Sequence, residues 1–310
     1  MNILVTGCGG DIGQSIGKIL KANKKFKKVI GCDLNFNHAG KFIFDEIHIL
    51  PKCSEPGYLE SLKAVVEEEE IDIIIPMSEP ELRFFNEISI EEELFERVIV
   101  MANKRAMDIG FDKYMTAQFL KSNSLPFPIT TILNQLQDPI LPIVIKSREG
   151  AGSKNLFIVT DCDDLPFYVK KFPNYIAQEF IGNDSVEYTC GLFRSRKKEI
   201  RQIIFRRKLM GGFSGFGFYE ENQAISNLLN NLAQLLDLNG SINVQLRMTE
   251  KGPCIFEINP RFSSTVMFRD LMGFNDVIWS IENALGLPLS PYNRKIEYTK
   301  FYKGFNEYVD

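Results

Sequence analysis

The stretch from Ser241 to Met267, SINVQLRMTEKGPCIFEINPRFSSTVM, constrains the fold of this chain more than any other. It reads as two strands joined by a tight turn. Gln245 lies on the first strand, Glu257 and Asn259 on the second, and Arg261 follows just after Pro260. Side chains two positions apart on a strand face the same way, so Glu257 and Asn259 point together while Ile258 faces the opposite side. A carboxylate, two amide oxygens and a guanidinium on one wall suit a hard divalent cation held beside phosphates, because Mg²⁺ takes oxygen ligands and shares them between protein and phosphate. The plain alternative is a half-buried hairpin with a solvated polar face.

A chain of 310 residues has room for two or three domains. With 36 basic and 40 acidic residues the net charge is -4, so no broad basic field is available for a polyanion and nucleic acid is not an expected partner. The local basic run KANKKFKK (21–28) reads as the solvated end of a surface helix. No apolar run approaches the roughly twenty residues that a bilayer span needs, and MNILVTG opens directly into a strand with no signal peptide before it. Cys8, Cys32, Cys53, Cys162, Cys190 and Cys254 are scattered without a C-x-x-C pair. They fit reduced, buried thiols of a cytoplasmic protein rather than a disulfide framework or a zinc site. With only His38 and His48, a histidine-based metal centre or a Ser-His-Asp triad has little material.

Residues 1–102 alternate strand-like runs (2–7, 28–34, 46–50, 71–77, 97–102) with helical patterns at Asp11–Lys21 and Ser61–Glu70. Such alternation predicts a parallel sheet flanked by helices. From Asn103 the pattern becomes helical and stops at Asn123 and the Pro126/Pro128 pair. A small unit of three strands follows (142–147, 156–160, 174–181), and residues 183–310 are rich in longer strands, with helices at Ala224–Leu236 and Asp276–Leu285.

TGCGGDIG (6–13) follows a strand and opens a helix, and Asp33 ends the next strand, as in a dinucleotide-binding turn. The spelling resembles the cofactor loop of extended short-chain dehydrogenases, which would make the chain an NAD(P)-dependent oxidoreductase. Those enzymes place Lys four residues after a catalytic Tyr, and no tyrosine here has Lys at that position. The loop then either closes a strand–helix turn or meets an acceptor substrate. RRKLMGGFSGFGFYEEN (206–222) is either a flexible aromatic loop whose Arg206, Arg207 and Lys208 could meet an anionic substrate, or an ordinary hairpin.

Other features fall in a definite order. Lys113 starts a helix in FDKYM, Lys146 ends the apolar strand PIVIK, and Glu149-Gly150-Ala151-Gly152-Ser153 forms a turn with free N–H groups. AQEFI (177–181) follows, and Glu187 lies six positions beyond Ile181. DK, IK with its glycine loop, QEFIG…E, NVQ and EINPRFS together resemble the ATP-grasp superfamily, most closely single-module relatives of the carbamoyl-phosphate synthase large chain. The resemblance covers nearly the whole chain.

The resemblance implies a Rossmann-like pre-ATP-grasp domain (1–102), then an ATP-grasp fold of two α+β subdomains: an entry helix with a small lid (103–182) and a core carrying the metal site (183–310). It implies that Lys113 and Lys146 contact the phosphates of ATP, that Gly150, Gly152 and Ser153 belong to a loop closing over them, and that Glu179, Phe180 and Ile181 read adenine. Glu187 would bind ribose. Gln245, Glu257 and Asn259 would hold Mg²⁺ (or Mn²⁺), and Arg261 would act with Lys146 on the transferred phosphoryl group. The first metal position is often acidic in the superfamily; here it is Gln245, as in carbamoyl-phosphate synthase relatives. The implied activity is an ADP-forming ligase that joins a carboxylate to an amine or ammonia. A nucleotide-binding protein without turnover is the other reading of the same site. The implied partners are small molecules and, by family analogy, a second copy of the chain in a homodimer.

Overall fold

The computed structural model describes residues 1–150, 156–182, 186–210, 213–295, 299–304 and 306–308. The N-terminal region comprises β1 (Asn2–Thr6), α1 (Asp11–Ala22), β2 (Lys28–Asp33), β3 (Glu46–Ile49), α2 (Tyr58–Glu68), β4 (Ile73–Ile75), α3 (Glu79–Glu87), β5 (Glu93–Leu94) and β6 (Arg97–Ile99). The sheet runs β3-β2-β1-β4-β6-β5, parallel except for the short antiparallel edge strand β5. β1 and β4 are buried along their whole length, which is why they read as unbroken apolar runs. Alternate residues serve two cores. Ile3, Val5, Ile73 and Ile75 pack with Ile16, Ile19 and Leu20 of α1, while Leu4 and Ile74 pack with Leu62, Val65 and Phe85 of α2 and α3. α3 is an addition to the sequence expectation, and α2 starts three residues before the Ser61 expected for it.

Two short helices, α4 (Lys104–Gly110) and α5 (Lys113–Ser122), lead to a four-stranded antiparallel sheet. That sheet contains β7 (Thr130–Ile132), β8 (Ile143–Lys146), β9 (Phe157–Val159) and β10 (Ile176–Glu179), with α6 (Leu165–Lys171) before the last, in the order β7-β10-β8-β9. Three strands were expected; β7 is the fourth.

The third sheet is antiparallel and larger. Its elements are β11 (Glu187–Arg194), β12 (Ile200–Met210), β13 (Phe213–Tyr219), α7 (Gln223–Leu235), β14 (Gly240–Thr249), β15 (Gly252–Asn259), α8 (Val266–Leu271), α9 (Asp276–Ala284) and β16 (Lys300–Tyr302), with strand order β15-β14-β11-β12-β13-β16. α7 covers one face through Ile225, Leu229 and Leu232. Phe262, Val266 and Ile281 tie this part of the chain to the core around α1. β12 and β13 pair antiparallel, with a register shift between Lys208 and Leu209, so residues 206–210 and 213–219 are paired strand rather than loop, while Gly211 and Gly212 lie outside the described residues. The strand alternation of β12 splits the basic triplet: Arg207 is buried, while Arg206 and Lys208 are exposed on the opposite face. Beyond β16, Lys303 reaches Asp11 at the start of α1, and Tyr308 stacks on Phe42 with ring centroids 4.8 Å apart.

Candidate active site

The β14–β15 pair builds the polar wall. Gln245 lies directly opposite Glu257 and Asn243 opposite Asn259, and residues opposite each other share a face. A register shift between Gln245 and Leu246 leaves Phe256 as the extra residue of β15. The Phe256 ring lies 5.5 Å from the Lys146 ammonium and 5.9 Å from the Arg247 guanidinium. It is an aromatic surface that motif reading alone did not single out.

Among the described residues the side chains of Glu257 and Asn259 make no hydrogen bond or ion pair, although both backbones lie in the β14–β15 ladder. A half-buried carboxylate and an amide oxygen left open on one wall fit a hard cation, with Glu257 supplying the charge. Gln245 is different. Its Oε1 accepts a hydrogen bond from Arg207 Nη2 at 2.8 Å, so a cation there would share that oxygen with a guanidinium. Asn243, the fourth polar residue of the wall, is turned inward: its Oδ1 accepts from Thr189 Oγ1 and Arg269 Nη2, beside the fully buried Arg269–Asp276 pair.

Lys146 ends β8 and is only 8% exposed. Burial pushes its ammonium down from 10.5 to about 8; the charges of Glu257 and Glu187 oppose that shift, and those of Lys113 and Arg247 add to it. These five groups, drawn from all parts of the chain after residue 110, therefore act on one point. Arg261 behaves similarly. Burial lowers its guanidinium, and Glu79 and Glu257 pull it back up. Glu257 is thus the anion common to Lys146 and Arg261. Arg261 is placed by a tight turn in which its N–H donates to Asn259 O at 2.8 Å, and its Nη1 donates to Phe262 O at 2.9 Å. Pro260 of that turn presses on Gly110, where an added Cβ would lie 2.8 Å from Pro260 Cδ.

Lys113 is the first residue of α5, whose N-cap Asp112 accepts from Tyr114 N and also pairs with Arg148. Lys113 Nζ donates to Gly150 O at 2.7 Å, and its backbone N–H to Arg148 O at 2.9 Å. Gly150 has a φ of +82° in open space, a conformation glycine adopts freely. Gly152 and Ser153 lie outside the described residues.

On β10, Glu179 bridges to Ile129 in both directions: its N–H donates to Ile129 O at 2.8 Å and its Oε2 accepts from Ile129 N at 3.1 Å. Phe180 lies under the Arg247 guanidinium at 5.7 Å, and Ile181 O accepts from Arg247 Nη1 at 3.0 Å. Glu187 is buried, with Arg207 on one carboxylate oxygen and Arg247 on the other, both at 2.9 Å. It therefore links the 179–181 segment to the Gln245 end of the wall, and a ribose contact would share oxygens already engaged by two guanidiniums. Arg247 follows Gln245 by two positions on one strand, so period-two reading could have found it. Arg207 could not be separated from Arg206 and Lys208 without the register.

The sequence profile of the ATP-grasp domain matches residues 111–265, half of the chain, and that of the PylC-like N-terminal domain matches residues 3–100. The chain belongs to the ATP-grasp family. It is 23% identical over 150 residues to a carbamoyl-phosphate synthase of Methanobrevibacter smithii, an alignment covering 46% of this chain and 40% of that protein. The chain spans about two-fifths of the length of the curated relatives it matches. Among solved ATP-grasp-like structures, an ADP complex of N5-carboxyaminoimidazole ribonucleotide synthetase superposes with a TM-score of 0.74 at 17% identity, covering 94% of this chain and 79% of that one. The L-amino acid ligase of Bacillus licheniformis gives 0.69 at 18% identity, with coverages of 92% and 74%. The mixed fold, a parallel N-terminal sheet followed by two antiparallel ones, is the architecture the family resemblance implied. No helix among the described residues is long and apolar enough to cross a membrane.

Proposed function

We propose that this chain is an ATP-dependent, ADP-forming ligase that activates a carboxylate as an acyl phosphate and joins it to an amine or ammonia. The observation that carries this reading is the position of Glu257, an unpaired carboxylate whose charge acts on both Lys146 and Arg261. An anion between two desolvated cations is the arrangement needed where a metal-bound triphosphate meets an oxyanion, since phosphoryl transfer depends on positioning and charge neutralisation.

In this reading Glu257 and Asn259, with Gln245 at the edge, hold Mg²⁺ (or Mn²⁺), which when bound neutralises phosphate charge. Lys146 and Lys113 contact the phosphates, and Gly150, Gly152 and Ser153 close over them. Glu179, Phe180 and Ile181 meet the adenine, and Glu187 sets the ribose end through Arg207 and Arg247. The acceptor carboxylate oxygen bonds to the γ-phosphorus as its bond to the ADP oxygen breaks. Arg261 stabilises the charge on the acyl phosphate. The amine nitrogen then bonds to the acyl carbon, inorganic phosphate leaves, and the amine proton passes to solvent. The dehydrogenase alternative finds less support, because no tyrosine of the chain has Lys at the fourth following position.

The test is a thermal shift with Mg·ATP against NADPH, followed by a phosphate-release screen over amino acids, sugar acids and ammonia. Mg·ATP should stabilise the protein, and Glu257→Gln should keep its melting temperature while losing about a hundredfold or more in phosphate release. Stabilisation by NADPH alone would overturn the proposal. Stabilisation by Mg·ATP with no phosphate released under any acceptor would leave a nucleotide-binding protein.

A further inference from the structure

We propose that Cys8, Asp33 and His38 form a binding site for a zinc-class cation at the glycine turn of the N-terminal sheet, with a fourth coordination position open to water. The spacing of cysteines and histidines argues against a zinc site, because these three residues are distant in sequence and follow no ligand motif. The fold brings them together nonetheless. Cys8 lies just past β1, Asp33 ends β2, and His38 precedes the 3₁₀ turn Ala39–Phe42. The Cys8 sulfur, a carboxylate oxygen of Asp33 and a ring nitrogen of His38 lie within 4.8 Å of one another. Zinc bonds of about 2.0–2.3 Å in a tetrahedron would set donors roughly 3.3–3.8 Å apart, so small side-chain rotations complete the geometry.

Two independent observations point to a missing partner. Among the described residues neither ring nitrogen of His38 has a hydrogen-bond partner, although both atoms are buried. An imidazole sequestered in that state has given up its hydrogen bonds to water without replacing them. The cluster also sets a carboxylate beside a thiol. Among the described residues no lysine or arginine side chain ion-pairs with Asp33, and Lys41 meets His38 through its backbone, its N–H donating to His38 O at 3.5 Å. The other Cys/His/acid cluster, Glu46–His48–Glu69, shows the contrast: there Lys28 pairs with both carboxylates and already supplies the positive charge.

Space for the three donors is made by glycine. A Cβ at Gly9 would lie 2.5 Å from His38 Cδ2 and 3.0 Å from Asp33 Oδ2. One at Gly40 would lie 2.8 Å from His38 Nδ1, and one at Gly31 2.7 Å from Cys8 Sγ. A thiolate, an imidazole and a carboxylate form a borderline-soft donor set that selects zinc over magnesium or calcium. Binding replaces the Cys8 S–H bond with an S–metal bond and releases that proton to solvent. The proposal stands apart from the ligase reading, since none of its residues belongs to the nucleotide site.

The test is Co²⁺ titration of the metal-stripped full chain, monitored by the thiolate-to-cobalt charge-transfer band. The band should rise to saturation at a single equivalent, persist in Cys162→Ser, which removes the exposed cysteine, and vanish in Cys8→Ser. His38→Gln and Asp33→Asn should each weaken Co²⁺ binding by more than about tenfold. No band in the folded parent protein, or a band that survives Cys8→Ser, overturns the proposal. If Cys8→Ser fails to fold, the other two variants decide, and unchanged affinity in both overturns it.

Discussion

Lys146 concentrates the physics of the nucleotide site in one side chain. It is a cation buried on a strand end with no ion pair among the described residues, and burial pushes its ammonium down to about 8 against the opposing charge of Glu257. Because the charged form persists only below that value, Mg·ATP affinity should fall as pH rises through about 8, and Lys146→Arg should remove that dependence, since a guanidinium stays charged. Calorimetric titration across that range checks it; a flat profile in the parent protein would sink the assignment. The same shift acts on the apoprotein with a definite sign. Between about 8 and 10.5 the unfolded chain keeps the proton that native Lys146 has released, so this residue's contribution makes stability rise with pH over that window. Lys146→Met should therefore fold at least as stably as the parent below pH about 8 while losing its stabilisation by Mg·ATP. Equal Mg·ATP shifts in the two proteins would count against a phosphate-binding role.

At the scale of elements, the site depends on how α4 seats the turn that carries Arg261. Gly110→Ala should drive Pro260 off its contact, cost about 1–3 kcal/mol in urea unfolding, and lower kcat through a displaced Arg261 more than it raises KM for ATP. Unchanged kcat with lost stability would mean that the turn tolerates the shift. Elements also show what the residues disclose by themselves. β1 and β4 are legible because a buried parallel strand must be apolar throughout, and β14 and β15 because polar and apolar residues alternate. α3 had a readable start in Ser78 and Glu81, a capping pair in which Ser78 Oγ accepts from Glu81 N, but Glu79–Glu87 carries few apolar residues to give it a period. β7 has only three residues, too short for any period, and is a strand because β10 pairs with it. The roles of Arg207 and Arg247 depend on which guanidinium meets Glu187 across β11, and Phe256 reaches the cleft through a bulge. Cross-strand register sets both, and local composition does not encode it. The approach of His38 to Cys8 is a still longer-range fact of chain tracing.

Across the whole molecule, Arg83 of α3 joins the N-terminal region to the nucleotide site. It pairs with Glu79 at 2.9 Å and Glu149 at 3.6 Å, donates to Phe111 O, and stacks on the Phe111 ring at 4.7 Å. Arg83→Ala should cost about 1–3 kcal/mol and raise amide exchange first in α4 and α5, because it leaves a carbonyl and a carboxylate without their donor. Exchange that rises uniformly would assign Arg83 to global stability alone. A second long-range tie runs through β16, which covers the free edge of β13 before the chain continues to α1 and Phe42. Among the described strands, β16 comes last in chain order. Until it emerges, the β12–β13 hairpin presents an open row of backbone donors and acceptors to any neighbouring chain, so aggregation during synthesis should be decided by how soon Lys300–Tyr302 arrive.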